Sequence, residues 1–391
     1  MARLTRPRGA LVLAGALLLA LALTSVATSG RWGDGRSGPT AGTGPDRPVA
    51  GEAAETARPG GSPRPARALF PPKGKTFVGV MTAAGPHDLT ATTMFAAAAE
   101  HQPQAMLFSV GWASGPFDRT LFDRISGRGM LPIVGWEPWD HRPGEAAIER
   151  GLPTPEVDRA RIAQPRYRLA NIVRGDFDDY LRSWADGIRS LGYPVAIRFA
   201  HEMNGYWYPW CESVNGNRPG DYVAAWRHVR DLFRAAGATN VTWVWSPNNK
   251  WDDSTPELST FYPGDDQVDW VGLSGYYSTV FSPEYRSFDK IFAESIEDIR
   301  AFTGKPLVIT ETGASDSQGR KAEWIAETFR SLRRYPDIIG VVWFEVDKPR
   351  ETDWRIASSP AAARAFARAV ADPRYTFTWS ADMIPRSAME D

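Results

Sequence analysis

Val195-Ala196-Ile197-Arg198-Phe199-Ala200 is an apolar run carrying one arginine, and it leads straight into His201-Glu202-Met203-Asn204-Gly205. An unbroken apolar run of this length reads as a strand covered on both faces, the habit of parallel sheets. A helix-like stretch follows at 222–235. The same alternation continues in both directions. Upstream come strands at 77–80, 105–110 and 131–136, with helices at 94–100, 121–126 and 177–190 and a long irregular insertion before the last of these. Downstream come strands at 241–245, 269–274, 306–310 and 339–344, with helices at 288–302, 322–332 and 361–370. Strand and helix alternate eight times, which predicts an α/β chain folded as a single (β/α)8 TIM barrel. An open doubly wound sheet is the competitor. It would carry a glycine-rich phosphate loop after its first strand, and Gly79-Val80-Met81-Thr82 lacks that pattern.

The chain has 391 residues, 43% hydrophobic and 23% charged, with a formal net charge of −1. That composition can bury a full core. The charge balance, with no basic block interleaved with aromatics, argues against nucleic acid as a partner. Ahead of the barrel, Arg3, Arg6 and Arg8 precede an apolar run from Ala10 to Leu23 and the small residues Ser25-Val26-Ala27. This reads as a signal peptide over 1–28, with an uncleaved membrane anchor as the rival, and predicts a secreted or surface-anchored protein. Residues 29–68 are Gly, Pro, Ser, Thr and Arg with little to bury and read as a disordered linker, leaving 69–391 as the folded domain. Cys211, the one cysteine, is expected to be a buried thiol, and a monomer is expected.

Active sites of such barrels lie at the C-terminal ends of the strands. Strand four ends at Glu202, and strand seven ends in Ile309-Thr310-Glu311-Thr312-Gly313. A carboxylate where an apolar strand ends is hard to explain as packing, because burying its charge costs several kcal/mol unless it is paired. Two of them around one mouth suit glycosidic cleavage, in which one protonates the leaving oxygen and the other attacks the anomeric carbon, at carboxyl separations of about 5–5.5 Å for retention. Sixteen tryptophans, several beside Gly, Pro and acidic residues, suit stacking on sugar faces; core filling is the plain alternative for about half of them. No metal site is expected: His201-Glu202 begins like a zinc helix motif, but Gly205 stands where the second histidine would be. No cofactor is expected.

The run His201-Glu202-Met203-Asn204-Gly205 with Trp207 and Pro209-Trp210, together with Thr310-Glu311-Thr312-Gly313, resembles glycoside hydrolase family 26 over residues 77–370. The resemblance implies Glu202 as general acid/base, Glu311 as nucleophile, and His201 as a residue orienting the acid or the sugar. It implies a tyrosine that hydrogen-bonds the nucleophile, with Tyr276 first and Tyr277 second, and sugar contacts from Trp207, Trp343, Trp210 and Asn204. Mannan-cleaving members commonly have Trp-His after strand three, where this chain has Trp136-Glu137. A carboxylate there accepts sugar hydroxyls, which brings mixed-linkage β-glucan beside β-mannan as a substrate. The expectation is a retaining endo-β-glycanase acting on polysaccharide; the alternative is a non-catalytic carbohydrate-binding barrel.

Overall fold

The computed structural model describes residues 69–279, 282–316, 318–348 and 352–380. The expected leader (1–28), linker (29–68) and last eleven positions of the chain lie outside the described residues. Eight strands form a closed barrel: β1 (Phe77–Thr82), β2 (Ala105–Gly111), β3 (Leu131–Glu137), β4 (Val195–Phe199), β5 (Val241–Trp245), β6 (Trp270–Tyr277), β7 (Leu307–Ala314) and β8 (Ile338–Glu345). Each pairs in parallel with the next, and β8 returns to β1 in a register running from Phe77↔Gly340 to Thr82↔Glu345. This is the (β/α)8 barrel expected from the alternation of strands and helices.

The helices are α1 (Thr90–Ala99), α2 (Arg119–Ser126), α3 (Arg142–Glu149), α4 (Thr154–Ile162), α5 (Leu169–Arg174), α6 (Asp178–Leu191), α7 (Asp221–Ala235), α8 (Phe288–Phe302), α9 (Lys321–Ser331) and α10 (Pro360–Val370). The insertion after β3, expected to be irregular, therefore contains α3, α4 and α5. Its prolines mislead, because Pro143 and Pro155 sit in the first turns of α3 and α4, where a missing N–H leaves no bond unmade. A short hairpin, β9 (Asp347–Lys348) with β10 (Thr352–Asp353), follows β8.

Successive side chains on a strand point to opposite faces, and the two faces build two cores. Phe77, Met81, Leu107, Ile133, Val244, Trp270, Val308, Val342 and Phe344 fill the barrel interior. Their neighbours, such as Val78, Phe108, Val134, Ile197, Trp245 and Ile309, pack outward against the helices. Each such large apolar side chain contributes about 1.5–3 kcal/mol on burial. The alternation also decides which residues near the strand ends reach the mouth.

Candidate active site

Beyond β4 the backbone takes two left-handed turns, at Ala200 (φ 45°) and Glu202 (φ 55°). Non-glycine residues in this region cost of order 1–3 kcal/mol each and persist only where the surroundings hold them. Here the Ala200 amide donates to the Trp136 carbonyl at 3.1 Å and the Glu202 amide to that of Ser246 at 2.7 Å. The Glu202 carbonyl accepts from the Gly205 amide at 3.0 Å and from the buried Cys211 thiol at 3.5 Å. The strain aims the Glu202 side chain inward, where Trp207 Nε1 donates to its Oε2 at 2.9 Å. Burial, with the nearby charge of Glu311 adding to it, raises the Glu202 pKa, so the protonated acid is favoured.

Trp207 can reach Glu202 because Gly205 has no side chain: a Cβ there would lie 2.6 Å from the indole ring. Gly205→Ala should therefore displace Trp207 and remove its hydrogen bond to the acid. We expect a loss of roughly 2- to 10-fold in kcat, since a hydrogen bond to an uncharged group contributes about 0.5–1.5 kcal/mol. Steady-state kinetics beside a thermal melt measures it; unchanged kcat in a folded variant would remove Trp207 from the argument.

Glu311 reaches the interior through a bulge. Leu273 pairs with Ile309 and Ser274 with Glu311, so Thr310 is the extra residue in β7. Without it, strict alternation would turn Glu311 towards the helices; bulges commonly re-aim a side chain in this way. Glu311 is 1% exposed. Its Oε1 is ion-paired with Arg198 Nη1, and its Oε2 accepts from the Tyr276 hydroxyl at 2.5 Å. Arg198, buried on β4, also donates to Ser246 Oγ at 2.9 Å and Ser274 Oγ at 2.7 Å. Ser246, which accepts from Arg198 at its hydroxyl, also accepts the Glu202 amide at its carbonyl, so Arg198 and its partners connect the ends of β4 and β7.

Glu137, at the end of β3, is a third buried carboxyl and feels the charges of Glu311 and Arg198. Trp139 Nε1 donates to its Oε2 at 2.9 Å, and the nearby Ser109 side chain also favours the carboxylate. Burial pushes its pKa up to about 7 against the influence of Ser109 and Trp139, with a further push from Glu311 and an opposing pull from Arg198. His201 is also buried. Burial, then the charge of Arg198, holds its pKa well below the usual histidine value, so the ring is neutral. Its Nδ1 has no hydrogen-bond partner among the described residues.

Five of the expected residues have their side chains engaged within the protein. Trp136 points outward from β3 and packs on Trp112, Trp184 and Phe233 of the helix layer. Trp343 points outward from β8 against Trp324 and Phe366; it is not the floor of the mouth. In both cases the next residue along the strand faces inward. Trp210 stacks on Tyr208 at 4.3 Å and spends its N–H on the His201 carbonyl at 2.7 Å, which places it behind the motif. Asn204 exchanges two hydrogen bonds, 2.9 and 3.0 Å, with the backbone of Asn248, tying the loops after β4 and β5 together. Tyr277, the second choice for the nucleophile's partner, faces Tyr285 and Trp324 outside the barrel.

Several residues around the three carboxyl groups had no role in the sequence reading: Arg198, Ser109, Ser246, Ser274, Trp139 and Trp354. Trp354 lies beyond the β9–β10 hairpin, with its ring 5.1 Å from that of Tyr276 and 6.3 Å from Phe344. It is buried with the interior cluster, whereas Trp343 packs with the outer one. Among the described residues no group of three His, Cys, Asp or Glu could hold a metal ion, and no helix is long and apolar enough to cross a membrane.

A family model, glycosyl hydrolase family 26, matches residues 166–320. Endoglucanase H of Acetivibrio thermocellus is 34% identical over 260 residues, covering 64% of this chain and 25% of that protein. A mannan endo-1,4-beta-mannosidase of Bacillus subtilis is 29% identical over 143 residues, covering 34% of this chain and 35% of the other. The chain thus spans between a quarter and about a third of the length of these relatives. Among solved structures, a GH26 beta-mannanase from Bacteroides ovatus superposes with a TM-score of 0.55 over 81% of this chain and 94% of that one; at 18% identity this likeness concerns the fold.

Proposed function

We propose that this chain, which carries a glycosyl hydrolase family 26 domain, is a retaining endo-β-glycanase that hydrolyses internal β-1,4 linkages of β-mannan or mixed-linkage β-glucan. One observation carries the reading: two buried carboxyl groups at the ends of β4 and β7 stand in opposite electrostatic settings. Glu202 is pushed towards its protonated form by burial and by Glu311, while Glu311 faces a guanidinium and a phenol. Carboxyl pairs whose surroundings differ in this way divide into acid and nucleophile. Glu202 protonates the glycosidic oxygen as Glu311 attacks the anomeric carbon, forming a glycosyl ester and releasing the leaving sugar. Glu202, now the carboxylate, takes a proton from water, which attacks the anomeric carbon, breaks its bond to the Glu311 oxygen and frees Glu311 with net retention. The polysaccharide is the partner, and the apolar run at 10–23 supports action outside the cell.

The test is incubation with β-mannan, mixed-linkage β-glucan and β-1,3-xylan. Products are resolved by length, and the first-formed anomer is read by NMR. Short oligosaccharides released from mannan or glucan with retained configuration support the reading. Binding without product would leave a carbohydrate-binding barrel instead.

Glu137 supports the glucan arm, because a carboxylate in this position accepts a hydrogen bond from a sugar hydroxyl. With its pKa pushed up to about 7, Glu137 becomes the stronger, charged acceptor as pH rises through that value. KM should therefore fall from pH 6 to pH 8. Glu137→Gln should raise KM at pH 8 by roughly 10- to 100-fold, the worth of a hydrogen bond to a charged group, and should abolish that pH dependence. A pH-dependent KM that survives in the variant would assign it to another group.

A further inference from the structure

Lys321 opens α9 and is fully buried. Two costs attach to that position: an ammonium loses its hydration on burial, and a cation at a helix N-terminus opposes the helix dipole. Burial pushes its pKa down to about 8, with Asp353, Glu345 and Asp316 opposing the shift and Arg355 adding to it. Its Nζ donates to the Asp353 carbonyl at 3.0 Å, the Arg355 carbonyl at 2.6 Å and Ser358 Oγ at 2.9 Å. The carbonyl between the first two belongs to Trp354, and it accepts from Trp343 Nε1 at 3.0 Å. Side chains thus hold three consecutive carbonyls. Glu345, the last residue of β8, adds a fourth tie by accepting from the Ile356 amide at 2.9 Å, and the Trp354 amide donates to the Val346 carbonyl at 2.9 Å.

This fastening converges on one indole. The Tyr276 ring packs on Trp354 at 5.1 Å and on Phe344 at 5.7 Å, and those two rings meet each other at 6.3 Å, with the Tyr276 hydroxyl on Glu311. Gly313 of β7 lets both rings approach its backbone: a Cβ there would come within 3.1 Å of the Trp354 indole and 3.7 Å of the Tyr276 ring, so the two rings share one supporting surface. We propose that Lys321 is a positioning residue for the glycosidase reaction: it pins the segment after β10 so that Trp354 holds the Tyr276 hydroxyl on Glu311. Trp343, outside the mouth, serves the same end from the helix side. The inference rests on the reading of Glu311 as the nucleophile.

The test is a double-mutant cycle on a soluble oligosaccharide cleaved by the wild type, with each protein's melting temperature recorded and kinetics run well below it. Lys321→Met keeps the length of the stem and removes the donors. We expect kcat to fall roughly ten-fold with KM within about two-fold, the pattern of an interaction realised in the transition state. In a Tyr276→Phe background the same change should cost less than two-fold, because the hydroxyl that Lys321 positions is gone; coupling of this size is ordinary for residues sharing a network. Ser358→Ala, which removes one partner at a half-buried position, should give a smaller loss with the same dependence on Tyr276 and covers the case in which Lys321→Met fails to fold. Equal losses in both backgrounds, or a lower melting temperature with unchanged kcat, would overturn the proposal. A wild type inactive on every β-glycan would instead overturn the reading of Glu311.

Discussion

Glu311→Ala is expected to lower reducing-end release on the order of 10⁵-fold, the scale seen when one member of a catalytic unit is removed. Azide should restore part of the activity towards an aryl β-glycoside with a good leaving group. The physical basis is the environment the carboxylate leaves behind. Its two oxygens are held by Arg198 and Tyr276, so the variant keeps a buried guanidinium and a phenol facing an emptied, anion-sized space. A small anion can enter, satisfy the guanidinium and attack the anomeric carbon from the face that Glu311 used, giving the α-glycosyl azide. The unpaired arginine also predicts lower stability, by about 3–5 kcal/mol, the usual cost of breaking a buried pair from one side. Glu311→Gln, which retains shape and an acceptor, separates that loss from catalysis. A β-configured azide product, or activity within a hundred-fold of wild type, would dismiss Glu311 as nucleophile.

The barrel was legible because parallel strands buried on both faces are unbroken apolar runs, and those runs alternate with helical stretches from 77 to 370. The two glutamates were legible for a related reason: each interrupts such a run where it ends. Side-chain direction was less accessible, although part of it lies in the period-two rule. Trp136 and Glu137 are neighbours on β3, so at most one can face the mouth, and the inward positions Leu131 and Ile133 share the parity of Glu137. Trp343 and Phe344 divide in the same way against Val342. Arg198 has the inward parity of Ala196 and carries a charge inside a covered strand, which required buried partners. The bulge at Thr310 follows no composition or period visible in the chain, yet without it parity would turn Glu311 outward. Trp354 was out of reach for another reason. It approaches Tyr276 from beyond a hairpin, a tertiary placement that local pattern does not encode.

Glu202→Gln should behave differently from the nucleophile variant, and the difference tests the assignment of roles. Loss of a positioned general acid typically costs 10²–10⁴-fold. Here that loss should fall on natural polysaccharide, whose leaving sugar needs its proton. An aryl glycoside whose phenolate leaves unaided should form the glycosyl ester at close to the wild-type rate. Hydrolysis of that ester should then be slow, because no carboxylate remains to activate water, so a burst of phenolate precedes a low steady state. The alkaline side of the pH profile supplies a second check. Burial and the charge of Glu311 raise the Glu202 pKa, and the first step needs the protonated form, so wild-type activity on polysaccharide falls as pH rises through that raised value. The amide does not titrate, and the variant should lose this limb. Azide added to Glu202→Gln should intercept the ester from the face where water would have attacked and give the β-glycosyl azide, the anomer opposite to that expected from Glu311→Ala. The same small anion thus reports which carboxyl group stood on which side of the sugar. The same anomer from both variants, or none from either, would break the assignment of acid to β4 and nucleophile to β7.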